Sequence, residues 1–531
     1  MDRLLGYGVL PRLLILPVLI SLLGLSPRFH QVDLEMREAG RELVLESSQV
    51  FKSTQVLEST QVLESTQLLE STQETERTQV FDSLLKASRR IANAANYLQW
   101  RTDLWELAGH IALQAGDPPT AVQYLDRAAQ ASHETCLAPQ CGLSLQGWID
   151  LGDAYQQTGE LTAAIESWLE VFTLTGPSTE LVERLVQAYV SQGNYPYAIS
   201  IMQALVTYQP DDAQLRYRLG LYTATQNPEE ALDLLNKAAE LEPNLEVPVS
   251  KLRREILSAR VSEDTAYSLV STGRVLASLD EWKLAAEAFR QATLIRPDYG
   301  EAWAYLGEAS QHLGDSRNSS DPGSNIPGDG LPQLEKALEL DPKSLAANTF
   351  LALYWKRQMR YDKALQFLRS AVGMDSKNPV LQAEFASLLA ASGDLNEAYK
   401  AYLQAASLSP YDPSYQKYLV EFSMRYDYHI DEIALPVARQ LIIENPDQPA
   451  YLDLIAQVLI QQGDLATAER FLARALQIET GYAPAHLHLG LVYVLQENRE
   501  AAYRELNRAI SLDSDGSITD QARRLLETYF P

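Results

Sequence analysis

WIDLGDAYQQTGELTAAIESW, residues Trp148 to Trp168, holds three positions that return downstream at one fixed interval. Leu151 returns as Leu185 and Leu219, Tyr155 as Tyr189, and Ala164 as Ala198, each step being 34 residues. The same interval separates Gly273 from Gly307, Ala364 from Ala398, Ala371 from Ala405, Ala468 from Ala502 and Ala475 from Ala509. Prolines punctuate it: Pro177, Pro210 and Pro243 fall 33 apart, and Pro297, Pro342 and Pro410 take the same place later. A recurring period of this size marks a stacked array rather than one closed core.

Within one period the pattern predicts two helices. In Asn378 to Pro410, Phe385 and Leu389 set an apolar face at i and i+4, and Ser392, Gly393 and Asp394 make a turn. A second helix follows with Ala398, Tyr402 and Ala405 inward, and Pro410 ends it because proline lacks the N–H needed to continue. Small residues recur where helices approach closely, and Trp, Tyr and Leu fill the wider gaps. One such hairpin cannot bury both of its faces, so it stacks on its neighbours.

At these residues a family resemblance becomes specific. Trp148 to Trp168, WAYLGEASQHLGD (Trp303 to Asp315) and HLGLVYVLQENREAAYRELNRAI (His488 to Ile510) resemble tetratricopeptide repeats, whose pattern joins a Trp, a Leu-Gly pair, a Tyr, two spaced Ala, an aromatic and a closing Pro. The resemblance implies an all-α fold, a right-handed α-solenoid of about eleven helical hairpins with a C-terminal capping helix. Units begin near Thr102, Leu145, Thr179, Ala213, Ala266, Gly300, Leu345, Pro379, Tyr415, Pro449 and Ala483, and cover about four fifths of the chain.

The departures define the expected domain plan. Residues 1–28 read as an anchor or signal segment, 29–82 as a linker, 83–101 as a leading helix and 102–246 as the first part of the array. Residues 247–265 form an extra unpaired helix, 266–514 carry the second part with a loop insertion at 315–330, and 515–531 cap the end. Trp105 and Trp148 stand 43 apart, nine more than the period, so that junction carries an insertion holding Cys136 and Cys141. The ninth unit is ragged and heavily aromatic from Ser414 to Asp431.

The 531 residues are 46% hydrophobic and 21% charged, which fits a chain that buries a core. Its formal net charge of −26 opposes attraction to phosphate backbones or anionic lipid, so a nucleic-acid partner is disfavoured. Leu13 to Leu25 is a 13-residue apolar run after Arg3 and Arg12. With the positive charge preceding it, that run predicts a single-pass membrane protein with the array outside the cytoplasm; a cleaved signal and secretion is the alternative. From Ser47 to Asp82 six hexads follow, among them STQVLE twice. A helix turns about 100° per residue, so a hexad repeat spreads its apolar pairs around every face, and a spacer is expected. A self-associating segment is the alternative.

Chemistry-bearing clusters are sparse. His133, Cys136 and Cys141 supply three ligands at a spacing that fits no closed zinc site; in an exported chain the two cysteines would form a local disulfide. His486 and His488 stand at i, i+2 and point to different faces of a helix, against a joint metal site. Asp321, Asn325 and Asp329 lack the spacing of a calcium loop, and Asn318 opens a glycosylation sequon that acts only in a glycosylating pathway. No P-loop, dinucleotide turn, G-x-S-x-G or H-E-x-x-H occurs, so neither an enzyme nor a cofactor or metal is expected.

The resemblance implies that the first helices line a concave face that takes extended peptides or partner helices. Carried over unit by unit, the groove candidates are Tyr217, Arg218, Arg274, Lys356, Arg357, Tyr426 and Gln457. Several are basic or aromatic in an acidic chain, which suits a partner segment with carboxylates and apolar anchors. The expected function is a membrane-tethered scaffold for protein–protein interaction; the alternative is an accessory subunit of an envelope enzyme such as a glycosyltransferase or peptidase.

Overall fold

The structure is a computed structural model that describes residues 31–32, 34–41, 66–98, 101–134, 143–315, 329–513 and 516–530. Two compact units divide after Ser258. The first holds α1 (Thr66–Tyr97) and four hairpins: α2 (Thr102–Gln114) with α3 (Pro118–Glu134), α4 (Leu145–Thr158) with α5 (Leu161–Thr175), α6 (Thr179–Ser191) with α7 (Tyr195–Tyr208), and α8 (Ala213–Ala224) with α9 (Pro228–Leu241). The unit boundary falls inside α10 (Glu246–Arg260).

The second unit holds seven hairpins. They are α11 (Thr265–Ser278) with α12 (Trp282–Ile295), α13 (Gly300–Asp315) with α14 (Leu331–Leu340), α15 (Leu345–Arg357) with α16 (Tyr361–Met374), and α17 (Pro379–Ser392) with α18 (Leu395–Leu408). Next come α19 (Ser414–Arg425) with α20 (Leu435–Glu444), α21 (Pro449–Gln462) with α22 (Leu465–Ile478), and α23 (Ala483–Leu495) with α24 (Arg499–Leu512). The amphipathic helix α25 (Ser517–Tyr529) closes the row, packing Ala522, Leu525 and Leu526 against Leu487 and Leu506. Each unit is thus an all-α row of stacked hairpins.

Local chemistry sets these boundaries. Side chains of Ser144, Ser178, Asp212, Asp264, Ser344 and Asn378 accept hydrogen bonds from backbone N–H groups of the first turn that follows, satisfying donors the helix leaves open. The hairpin turns after α4, α17 and α21 run through Gly159, Gly393 and Gly463 at φ 85, 93 and 83, a region closed to most side chains. Packing fixes the period: Ala164, Ala198, Ala364, Ala371, Ala398, Ala405, Ala468, Ala475, Ala502 and Ala509 are all 0% exposed. At Gly152 a Cβ would meet the Trp168 indole Nε1 at 2.2 Å, so a bare α-carbon is what lets the two helices of that hairpin close on the ring.

Several expectations are corrected. The segment 29–82 is not linker throughout: residues 31–32 and 34–41 are helical, and Val32, Met36 and Ala39 are buried against Leu84, Ala87 and Ile91. The partner stripe lies on α1, which starts at Thr66 rather than at 83, so the final hexads are helical too. Arg90 joins the two segments by ion pairs to Glu35 and Glu38. The single-pass membrane expectation is overturned by the finding that, among the described residues, no helix is long and apolar enough to cross a membrane. The apolar run Leu13 to Leu25 that prompted it, residues 47–65 of the hexads, Cys136, Cys141, Asn318, Asp321 and Asn325 lie outside the described residues.

The ragged ninth unit has a structural counterpart. After α19 the chain passes through Asp427 and His429, both at φ 50, and enters α20 by a π-helical turn, Ile430–Ala434. The buried Ser423 hydroxyl donates to Tyr428 O at 2.6 Å, and Tyr428 N donates to Ser423 O at 2.8 Å. A wide turn and two strained residues held by such bonds are features that cluster near functional surfaces.

Candidate functional site

Within the second unit the first helices of four successive hairpins, α17, α19, α21 and α23, line a groove of about 740 Å³ together with α25. Their side chains reach it because of helical spacing. Tyr418, Glu421, Phe422 and Arg425 stand at i, i+3, i+4 and i+7 on α19; Gln457, Ile460 and Gln461 follow the same rule on α21, and His488 and Leu491 on α23. Tyr402 of α18, Tyr426 and Gln521 complete the wall.

The aromatic floor is packed and the rim is polar. Phe422 contacts Tyr402 at 5.2 Å and Tyr426 at 5.7 Å between ring centroids. Burial pushes the Tyr402 phenol up to about 12, so it stays neutral in the groove. Tyr418 is 44% exposed and supplies rigid, uncovered contact area. Gln461 donates to Met424 O at 3.2 Å, and Glu421 pairs with Lys417 at 3.5 Å. Among the described residues the Arg425 guanidinium makes no hydrogen bond or ion pair.

Under the rim lies a buried carboxylate. Asp453 accepts from His488 Nδ1 at 2.6 Å and from Gln457 Nε2 at 2.9 Å, and its side chain is 5% exposed. His486, two residues before His488, turns to the other side: Nδ1 meets Glu505 at 2.6 Å and Nε2 meets Thr480 O at 3.1 Å. His486 is therefore spent on holding its hairpin together, and only His488 lines the groove.

Of the residues singled out from sequence, Tyr426 and Gln457 line this groove. Lys356 is bound to Glu384 at 2.8 Å, and Arg274 sits over the Tyr305 ring at 5.5 Å. Arg357 donates to Glu308 at 2.9 Å and to Gln311, inside a knot with His312 whose Glu308 is 7% exposed. Tyr217 and Arg218 belong to α8 of the first unit; Tyr217 is half-buried, and Arg218 faces Glu183 at 3.4 Å in solvent. Arg425, Asp453, His488 and Tyr418 were not among them. Part of their signal was available: Tyr418, Phe422 and Arg425 share one face of α19, and Asp453 and Gln457 stand four apart on α21. Among the described residues no group of three or more His, Cys, Asp or Glu could hold a metal ion.

A family model described as tetratricopeptide repeat matches residues 103–173, 184–246 and 326–379, and a second of the same description matches 459–526. The chain is a tetratricopeptide repeat protein. As such it belongs to a family whose members bind protein or peptide partners. It is similar to the Protein O-mannosyl-transferase TMTC1 of Homo sapiens, 25% identical over 264 residues that cover 49% of this chain and 25% of that protein. It is similar to the type IV pilus assembly protein PilF of Pseudomonas aeruginosa, 30% identical over 144 residues that cover 23% of this chain and 57% of that protein. The chain thus spans a quarter and somewhat over half of the lengths of these relatives. Among solved structures it is similar to yeast Tom70, at 14% identity and a TM-score of 0.32 over 72% of this chain and 95% of that one. The repeat matched at 459–526 contains Ile460, Gln461, His488, Leu491 and Gln521 of the groove, and the one matched at 326–379 ends where α17 begins.

Proposed function

We propose that this tetratricopeptide repeat protein is a scaffold without catalysis of its own, and that it holds extended segments of partner proteins in the groove of the second unit. The observation that carries this is the wall itself: four successive first helices present Ser387 from α17, Tyr418 and Arg425 from α19, Gln461 from α21 and His488 from α23 to one cavity of about 740 Å³. A stacked array meets the ordering cost of such a groove when it folds, so a partner binds with less entropy loss. The partner segment carries carboxylates and an aromatic or aliphatic anchor, because the groove offers an uncommitted Arg and exposed Tyr faces. The mannosyl-transferase relative aligns over only 25% of its length, so its activity lends this chain no transferase role.

A photo-crosslinking amino acid at Tyr426 tests the proposal in the organism's own cells. It should yield discrete adducts that a probe at Leu403, 42% exposed on the second helix α18, does not. Identical adduct patterns from the two positions would remove the groove from the function.

A further inference from the structure

The histidine in the groove is held in a way that leaves one of its nitrogens without work. Asp453 is buried on α21 and takes the Nδ1–H of His488 at 2.6 Å, while Gln457 occupies the second carboxylate oxygen at 2.9 Å. That bond fixes the ring and its tautomer, since a carboxylate accepts only from a protonated nitrogen. Nε2 is then the one polar atom of His488 with no partner among the described residues, and the residue lines the cavity. One turn further along α23, where a helix side chain would fold back onto Nε2, stands Val492, which is fully buried and apolar.

The first unit shows what the same arrangement looks like when it is closed. His110 Nδ1 meets the buried Asp150 at 2.5 Å, Gln146 donates to Asp150 at 2.8 Å, and Gln114, one turn along from His110, caps Nε2 at 2.8 Å. Both histidine side chains are 18% exposed. The difference lies in the cap and not in burial. A negative group reaching Nε2 of His488 would find a ring already backed by Asp453, and a ring with protons on both nitrogens donates to the two carboxylates at once. Arg425, uncommitted in the same wall, supplies the second cation, and the one carboxylate among the wall's own side chains, Glu421, is engaged by Lys417.

We infer that the Arg425 and His488 wall of this groove is a carboxylate-binding site for an Asp or Glu side chain on an extended partner segment, with Asp453 acting behind it as a positioning residue. The inference deepens the scaffold proposal and rests on it. Arg425 stands on α19 and His488 on α23 in the wall of one cavity, so a segment that meets both crosses α21 between them.

A displayed library of random dodecapeptides selected on the full chain at neutral pH tests this. The selected peptide is then synthesised with its enriched acid, with the matching amide, and with phosphoserine in its place. Enrichment of Asp or Glu at one position is expected, with a loss of about 10- to 100-fold in affinity for the amide form, the worth of one charge-assisted hydrogen bond. Arg425→Gln and His488→Gln should each erase that discrimination, whereas Lys237→Gln on α9 should preserve it. Gln at 488 can still donate to Asp453, and Arg425 carries no internal bond, so thermal melting should find both variants folded. Peptides that bind equally well as amides, or discrimination that survives in both groove variants, would overturn the carboxylate site and leave the scaffold proposal standing. Phosphoserine binding more than tenfold tighter than the acid would replace the carboxylate by a phosphate. Failure of the full chain to retain any peptide would bring down the scaffold proposal and this inference together.

Discussion

Asp150 in the first unit and Asp453 in the second are buried carboxylates on the first helix of a hairpin, each held by a histidine from the neighbouring hairpin and a glutamine one turn away on its own helix. In the first unit the histidine is closed at both nitrogens; in the second it is closed at one and lines a groove. What separates a structural knot from a binding surface here is a single residue four positions on, Gln114 against Val492. Burial of a charge is tolerated in an array when every lone pair and proton finds a partner. Leaving one proton site open on the groove side converts the same arrangement into a recognition element without loosening the stack.

The largest effect that bears on this comparison is removal of the carboxylates. Asp150→Ala and Asp453→Ala each strip a buried pair of one partner and should cost about 3 kcal/mol of stability in a guanidinium melt. Peptide affinity should fall with Asp453→Ala and hold with Asp150→Ala. Equal loss of binding in both would mean that the two sites do not differ in kind.

Next in size are the close approaches inside the hairpins. Gly152→Ala drives a methyl group against the Trp168 ring at 2.2 Å, while Gly490→Ala meets Leu506 Cδ2 at 2.7 Å. Both neighbours are fully buried, but the indole moves only as one rigid ring whereas the leucine can turn about its own bonds, so costs of about 3 and about 1 kcal/mol are expected, read from denaturant midpoints at unchanged slope. A smaller change, Gln114→Leu, removes the cap on His110 and should cost about 1 kcal/mol while leaving peptide binding intact. It tests directly whether the cap stabilises the first unit or is incidental to it.

The array was legible because its period is written in residues with no alternative use. Alanines 34 apart that are all fully buried, and a proline two residues past the ends of α5, α7, α9, α12, α14, α18 and α20, leave one register. The segment 29–82 was harder, since Val32, Met36 and Ala39 form a stripe only two turns long and its complement lies past residue 82, beyond the low-complexity hexads. At the groove, family geometry leads to Tyr426 and Gln457 but also to Arg357, whose partner Glu308 is 49 residues away and invisible to any local pattern. His488 was passed over because, beside His486, it reads as half of a metal pair that helical spacing rejects. The bond that gives it meaning comes from Asp453, 35 residues earlier and one hairpin back.

Tyr482 reports on the charge of that aspartate. Its phenol is pushed up to about 12, first by burial and then by the carboxylates of Asp453 and Glu479. The folded value lies above the unfolded value of about 10, so the neutral phenol's contribution to stability is fully present below pH 10 and is lost as pH rises towards 12. Urea midpoints taken across that window should fall, and the signal of ring-labelled Tyr482 should titrate late. Asp453→Asn removes one of the two named charges and should move that titration towards 10, by less than burial alone accounts for; Asp150→Asn should leave it in place. A Tyr482 titration indifferent to Asp453→Asn would mean that Asp453 is not ionised in the folded chain. The groove histidine would then lack the counter-charge on which the proposed carboxylate site depends.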